Sequence, residues 1–341
     1  MTAELQAAHK GTVSTLPEPY ASLAHRIGRA TLEKRLMRQA NHWAQRAHQG
    51  DGVFRLEALL PLDALVSYAL RASGLAKRAR ANYLAPRLVE RRWRIRRLPR
   101  AFAGFRLLQL SDLHLDLDPE FTPLLIEKLQ GLRYDAVVIT GDFRNSTYDD
   151  HAQAVAEAGR VITALREPRF GILGNHDFIE QMAELELLGL PILFNEVASF
   201  ARGSDRLWIA GIDDSHFYAT HDLARAITKL PPDACTILLS HSPEIVLELP
   251  KNRFDLVLCG HTHGGQLCLP RGRWLHVPVH GLKPEFIRGP WRVAYTQGYT
   301  SAGTGCCAVP ARLNCPGELT IHVLEGVRSS EFGVLGLESG F

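Results

Sequence analysis

Apolar residues follow two rhythms along this chain. Between residues 105 and 260, short apolar runs recur: "FRLLQL", "DAVVIT", "RFGILG", "RLWIAGI", "CTILLS" and "FDLVLCG". Their length and their Asp, Gly and Ser boundaries predict strands buried on both faces. Between the first of these runs lie "PEFTPLLIEKLQG", "DDHAQAVAEAGRVITAL" and "DFIEQMAELELLG". There the apolar positions fall three or four apart, which predicts amphipathic helices. Short strands alternating with helices predict an α/β sheet covered on both faces. Upstream the rhythm differs. Residues 1–20 are polar, with Gly11, Pro17 and Pro19, and are expected to be loose. Residues 21–48 read as one basic helix, and after Pro61 the side chains of Leu62, Leu65, Val66, Ala69 and Leu70 share a helical face. From Leu88 on, Arg92, Arg94 and Arg96 alternate with Trp93, Ile95 and Arg97, the pattern of an edge strand with one charged face. The reading is a basic helical region (1–87), a main domain (88–326) and a C-terminal tail (327–341).

Composition changes the picture in one respect. The chain has 341 residues, 46% hydrophobic and 22% charged, which fits a globular protein. Its net charge of +3 hides an asymmetry: residues 1–100 hold 19 Lys+Arg against 7 Asp+Glu, and residues 101–341 hold 20 against 29. Residues 71–100 alone hold 11 basic side chains and a single acid, Glu90. A basic arm on an acidic body points to an anionic partner, either a membrane surface or a nucleic acid. Tyr83 and Trp93 are the only aromatics in that stretch, which disfavours a stacking platform for single strands. The most apolar segment, "LEALLPLDALVSYAL", is interrupted by Glu57, Pro61 and Asp63, against a membrane-spanning helix. No signal sequence opens the chain, and the six cysteines contain no C-x-x-C pair. The expectation is reduced thiols in a cytoplasmic protein, able to lie at the inner membrane face.

The candidate chemistry sits where the strands end. In "LLQLSDLHLDLD", residues 107–118, an apolar run opens into Asp112 and His114. Gly141 and Asp142 follow "AVVIT"; Gly174, Asn175, His176 and Asp177 follow "FGIL". His241 follows "TILLS", and "GHTHGG", with His261 and His263, follows "LVLC". Open α/β sheets bind ligands beyond the carboxyl ends of their strands. Oxygen and nitrogen donors gathered there suit a divalent transition metal. Each piece alone also fits a plainer role. A D-x-H is often a turn with a surface histidine, Asn175 and Asp177 suit a helix cap, and His241 could cap the helix after Ser242-Pro243. Five such pieces, all at strand ends, argue for a site.

Taken in order, D-x-H, G-D, G-N-H-D, H and G-H-T-H resemble the calcineurin-like metallophosphoesterases, over residues 104 to 268. The resemblance implies a four-layer β-sandwich flanked by helices, with two metal ions (Mn, Fe or Zn) at one edge. Carried over, it makes Asp112, His114 and His263 ligands of one metal and Asn175, His241 and His261 ligands of the other, with Asp142 bridging. Two divalent cations clamp a phosphate and offset charge on the attacking and leaving oxygens, and a shared carboxylate fixes their spacing. His176 is left to donate a proton or a hydrogen bond, with Asp177 orienting it. Arg144 and Asn145 are candidate substrate contacts or solvated loop residues. The extended "GHTHGGQ" and "VPARLNCPGELTIHVL" are similar to a bacterial branch of membrane-associated phosphodiesterases and UDP-2,3-diacylglucosamine pyrophosphatases of lipid A synthesis. The implied substrate is a membrane-associated nucleotide lipid. The alternative is a general phosphodiesterase or nuclease whose basic arm holds nucleic acid. His216, His221, His276 and His280 read as surface or loop histidines, and Trp93 and Trp208 as packing residues.

Overall fold

A computed structural model describes residues 16–47, 62–147, 150–279 and 281–327. The tail from residue 328, most of the polar start and His280 lie outside the described residues. Thirteen strands are described there, and eleven of them form two large sheets. The first sheet has the order β1 (Arg87–Ile95), β13 (Glu318–Gly326), β2 (Phe105–Leu110), β3 (Ala136–Thr140), β4 (Arg169–Ile172). The second has the order β11 (Gly289–Val293), β12 (Thr296–Thr300), β8 (Leu256–Cys259), β7 (Thr236–Leu239), β6 (Asp205–Gly211), β5 (Glu196–Arg202). A short ribbon pairs β9 (Cys268–Leu269) with β10 (Arg273–Trp274).

The period of two along each strand explains why there are two sheets and four layers. Leu107, Ala136, Val138 and Ile172 of the first sheet meet Leu207, Ile209, Ile237, Leu239, Leu256 and Leu258 of the second in one inter-sheet core. The alternate residues face outward under helices. Leu108, Leu110, Val137 and Ile139 pack beneath α5 (Phe121–Gln130), α6 (Ala152–Ala164) and α7 (Gln181–Leu187). On the far side, Leu238, Val257 and Cys259 pack with Ala226 of α8 (Leu223–Thr228) and with Ile245, Phe286 and Trp291. Each such side chain taken fully out of water contributes about 1.5–3 kcal/mol. The single covered sheet read from the strand–helix rhythm is therefore corrected to a sandwich. After β4 the chain crosses over and builds a second sheet. β1 lies at the edge of the first, parallel to β13.

The helical N-terminal region departs from a simple arm. The helix expected over 21–48 is two, α1 (Tyr20–Ile27) and α2 (Arg29–Ala47), because Gly28 takes φ 91 between them. A second pair follows, α3 (Leu62–Ala72) and α4 (Ala76–Leu84). Leu23, Ile27, Leu32 and Tyr83 belong to the same apolar cluster as Leu108 and Ile139. Residue 88 thus lies near the start of the first strand but does not separate two cores. Basic side chains of α1 and α2 are committed to the body. Arg26 pairs with Glu186 at 2.8 Å and Glu196 at 2.7 Å. Arg35 is fully buried, 2.5 Å from Asp213 and 3.0 Å from the carbonyl of Asp177, with its guanidinium over the Tyr218 ring.

Between the sheets runs a buried polar chain. Trp93 Nε1–H donates to His322 Nδ1 at 2.9 Å, so His322 Nε2–H donates to Gln109 Oε1 at 2.9 Å. Gln109 Nε2 then donates to Thr140 Oγ1 and to the Cys259 carbonyl of the opposite sheet, at 3.1 and 3.0 Å.

Two predictions follow from this packing. Arg35→Met should cost about 3–5 kcal/mol in urea denaturation, because it leaves the Asp213 carboxylate buried with the Thr220 hydroxyl but no cation beside it. Adding Asp213→Asn should recover part of that loss. Burial, and then Arg91, hold the His322 imidazole down at about 3. The unfolded chain takes up this proton near pH 6.5 and the folded chain does not, so His322 favours folding above about pH 6.5 and opposes it below. His322→Gln should shrink the stability lost between about pH 7.5 and about pH 5.5 by about 1.4 kcal/mol.

Candidate metal centre

All seven sequence-picked donors lie beyond the carboxyl ends of β2, β3, β4, β7 and β8, and the two sheets bring these ends to one edge. Asp112, His114, Asp142 and His263 each present a ligand atom within 4.8 Å of the others. Asp142, His241 and His261 form a second such group. Asp142 belongs to both. Asn175 joins the second through Oδ1, which lies 2.9 Å from His241 Nε2 and 2.8 Å from His261 Nδ1.

Backbone acceptors fix the rings. His114 Nδ1–H donates to the Arg144 carbonyl at 2.7 Å, which leaves Nε2 facing His263 Nε2 at 3.1 Å. His241 Nδ1–H donates to the Thr140 carbonyl at 2.8 Å, so Nε2 faces Asn175 Oδ1 and, at 3.2 Å, Asp142 Oδ2. Ring nitrogens and side-chain oxygens therefore converge on one place. Asp112 Oδ2 and His261 Nε2 are buried and have no hydrogen-bond partner. A buried acceptor without a donor is costly, and divalent cations answer this donor set.

The protonation pattern agrees for three of the four ligand rings. Burial drives the His114 imidazole down to about 3, and burial with neighbouring cations drives His261 and His263 well below the usual range, so these rings offer bare nitrogens. Burial alone would lower His241 and His176, but Asp142 overrides it and pushes both up to about 10. Burial would raise Asp142, yet His241 and His176 hold it well below the carboxylate range. Positive charge gathers around Asp142.

The local backbone is built for this convergence. Asp112, His114, Asp142, His261 and His263 all have positive φ, between 44 and 71. Left-handed residues of this kind cluster at functional sites. Gly260 and Gly174 admit the carboxylates. A Cβ on Gly174 would stand 2.2 Å from Asp142 Oδ1, and one on Gly260 would stand 2.5 Å from Asp112 Oδ2.

The remaining candidates divide. His176 stands beside the cluster, its ring edge-on to His114 at 4.9 Å between centroids. Its Nδ1–H donates to the Asn145 carbonyl at 2.6 Å. Asp177 does not touch that ring, which corrects its expected orienting role. Its carboxylate instead accepts the backbone N–H groups of Asp142, Phe143 and Gly174, each at 2.8 Å. With those residues committed to the loop, α7 begins at Gln181 rather than at the Asn-His-Asp motif. Asn145 Oδ1 accepts from Ala308 N–H at 2.8 Å, so its amide oxygen ties two loops together. Arg144 is fully buried with its guanidinium over the Phe178 ring. Arg144 is thus enclosed, whereas Asn145 stays part-exposed.

Three neighbours of the centre escaped the sequence reading. His216, read as a surface histidine, has its ring 4.3 Å from that of His261, and its Nδ1 lies 2.5 Å from Glu244. It follows the end of β6, in "GIDDSH", so the rule applied to the other strand ends would have found it. Cys307 Sγ lies 3.8 Å from His176 Nε2, and the buried Arg312 donates to the His263 carbonyl at 3.2 Å. Both come from the long connection after β12, where no strand signal points. His221 pairs with Glu248, His276 is exposed, and Trp93 and Trp208 pack in cores, as expected.

Residues 105–265 match the family model described as calcineurin-like phosphoesterase. The uncharacterized metallophosphoesterase YkuE of Bacillus subtilis is 30% identical over 279 residues, covering 77% of this chain and 94% of that protein. The chain belongs to the calcineurin-like phosphoesterases. Over 286 residues this phosphoesterase is also 30% identical to a transmembrane protein with metallophosphoesterase domain from Danio rerio, covering 77% of this chain and 62% of the fish protein. Phosphodiesterase YaeI of Escherichia coli is 29% identical over 237 residues, covering 64% of this chain and 82% of its own length. The chain thus spans under two thirds of the fish relative but nearly all of YkuE.

In this phosphoesterase Gly174→Ala should lower bound metal severalfold while far-ultraviolet dichroism stays unchanged. Its new methyl forces the Asp142 carboxylate aside. Elemental analysis of the purified variant beside wild type checks this.

Proposed function

We propose that this phosphoesterase hydrolyses phosphodiesters or diphosphates with two divalent ions. Asp112, His114 and His263 would hold one, Asn175, His241 and His261 the other, and Asp142 both. The observation that carries the reading is Asp142 standing in both donor groups. When bound, two such ions supply Lewis acidity and a water of lowered pKa. The protein's own part is positioning. Asp177 ties the Asp142 turn to the Gly174 loop by three backbone N–H bonds, and the Asn145 carbonyl fixes the His176 ring so that Nε2 remains available to a leaving oxygen. The Asn175 amide oxygen completes a shell without adding negative charge. Mixed carboxylate, amide and imidazole donors suit Mn, Fe or Zn.

For substrate, we read a nucleotide or diphosphate group carried on a membrane-associated lipid, with UDP-2,3-diacylglucosamine as the specific example. Its support is the similarity of "GHTHGGQ" and the later segment to that branch, the basic N-terminal charge, and a relative named as a transmembrane protein. Among the described residues no helix is long and apolar enough to cross a membrane. A cytoplasmic protein that meets lipid at the surface fits this reading. A panel of nucleotide-lipid diphosphates, cyclic nucleotides and DNA, with metal analysis, tests it. Turnover of DNA well above the lipid diphosphates would favour the nuclease alternative.

His176→Ala should keep metal content near wild type and lower turnover of an alkyl phosphodiester by roughly 10²–10⁴. The loss should be smaller on a nitrophenyl ester, whose leaving group departs without a proton. Equal losses on the two esters would make His176 a phosphate-stabilising residue instead, and loss of a metal would make it a ligand.

A further inference from the structure

We propose that the α3–α4 hairpin and the segment after the "GHTHGG" loop form one docking face for an anionic lipid surface, beside the mouth of the metal centre. The placement beside that centre rests on the hydrolase reading; the docking itself does not. Residues 64–89 contain no Asp or Glu, and neither do residues 266–284. Far apart in sequence, the two stretches adjoin in the fold. Leu267, like Val66, Leu75 and Ala76 of the hairpin, packs against the cluster of Leu70, Ala79, Val309 and Ala311. Arg78 reaches Asn314 Oδ1 at 3.5 Å, and Asn314 Nδ2 donates to the Cys268 carbonyl at 2.8 Å.

Both stretches turn apolar and basic side chains outward together. On α3, Tyr68 is 70% exposed across the helix from the packed Val66 and Leu70, and Leu65, which the periodicity puts on their face, lies at its edge and is 49% exposed. On and beside the β9–β10 ribbon, Leu269 is 48% and Leu275 66% exposed. Arg71, Lys77, Arg78, Arg271 and Arg273 are exposed in the same two stretches. Arg80 turns away instead, to Asp118 and Glu120 on the body. Large apolar side chains interleaved with basic ones, and no acid, match the interfacial zone of an anionic bilayer, where rings and aliphatic chains enter below the headgroups. A nucleic acid would be served by the charge but not by Leu65, Leu269 and Leu275.

The inner side of this face is a wall of the site. Val309 and Ala311 pack against Leu70 and Ala79. The same loop carries Cys307, 3.8 Å from His176 Nε2. Gln266, from the metal-binding loop, donates to the Cys307 and Val309 carbonyls at 2.9 and 3.1 Å. A phosphate anchored in the bilayer would therefore arrive next to His176 rather than across the protein.

Flotation of the full chain with vesicles tests this. Wild type should float with phosphatidylglycerol–phosphatidylcholine vesicles and not with phosphatidylcholine alone, and should be released by salt. Arg271→Gln with Arg273→Gln should lower partitioning roughly 30-fold, about 5-fold for each basic side chain near the surface. Leu65→Ser with Tyr68→Ser should lower it at least tenfold at unchanged charge. Both variants should turn over a soluble nitrophenyl phosphodiester at the wild-type rate, which also reports folding. Equal binding to neutral vesicles, no binding to either, or unchanged partitioning in the Leu65/Tyr68 variant would overturn the proposal. So would tighter binding to a single- or double-stranded DNA oligonucleotide at the same salt. A wild type that floats as expected but hydrolyses no phosphodiester would sink the hydrolase reading and leave the docking face standing.

Discussion

The Asp177 carboxylate is the constraint on which the rest of the structure leans. It receives the backbone N–H groups of Asp142, Phe143 and Gly174, and so welds the loop after β3 to the loop after β4. Buried backbone donors must find acceptors, and here a single side chain satisfies three. The weld sets where Asp142 points. Asp142 Oδ1 in turn accepts the His176 N–H at 2.9 Å, so the same two loops are joined in both directions. Placement of the donor groups on either side of Asp142 follows from that junction.

The N-terminal helices extend this scaffold. Arg35 reaches the Asp177 carbonyl from α2, and its neighbours hold the loop that carries His216. Lys34 donates to the Ala219 carbonyl, Arg38 to the Phe217 carbonyl at 2.6 Å, and Gln39 accepts the Ile179 N–H at 2.8 Å. One helix thus braces two loops of the centre. The charge asymmetry of the chain therefore has two meanings. In α1 and α2, basic side chains make internal ion pairs and helix-to-loop bonds. In α3, α4 and the β9–β10 ribbon, all but Arg80 face outward.

Much of the centre was legible because its residues obey a local rule: donors directly after short apolar strands. Asp112, His114, Asp142, Asn175, His241, His261 and His263 needed only strand recognition and the family's motif order. The roles of Asp177, Asn145 and Arg144 were not legible, because they depend on which loop stands opposite, and spacing along the chain carries no information on that. The second sheet was hidden for a related reason. A strand buried under a helix and one buried under another sheet show the same apolar run, so the rhythm alone gave one sheet where resemblance implied a sandwich. β5, β11, β12 and β13 are antiparallel or terminal partners, without the strand–helix alternation that marks the others. Gly28 was visible in the sequence, yet a lone glycine in a helical pattern does not announce a break.

Gln109 has a mechanical consequence. Its amide donates to Thr140 Oγ1 in its own sheet and to the Cys259 carbonyl in the facing one. Thr140 and Cys259 are the last residues of their strands before Gly141-Asp142 and Gly260-His261. The sandwich is therefore pinned against shear at the edge where the ligands leave it. Two further ties cross between the sheets: Tyr299 Oη–H donates to Glu318 and Gln297 Nε2–H to the Arg94 carbonyl, each at 2.8 Å. At this edge a displacement of one sheet along the other breaks a buried hydrogen bond before it can change the separation of Asp142 and His261. The spacing of the two halves of the centre is thus a property of sheet registration rather than of loop stiffness.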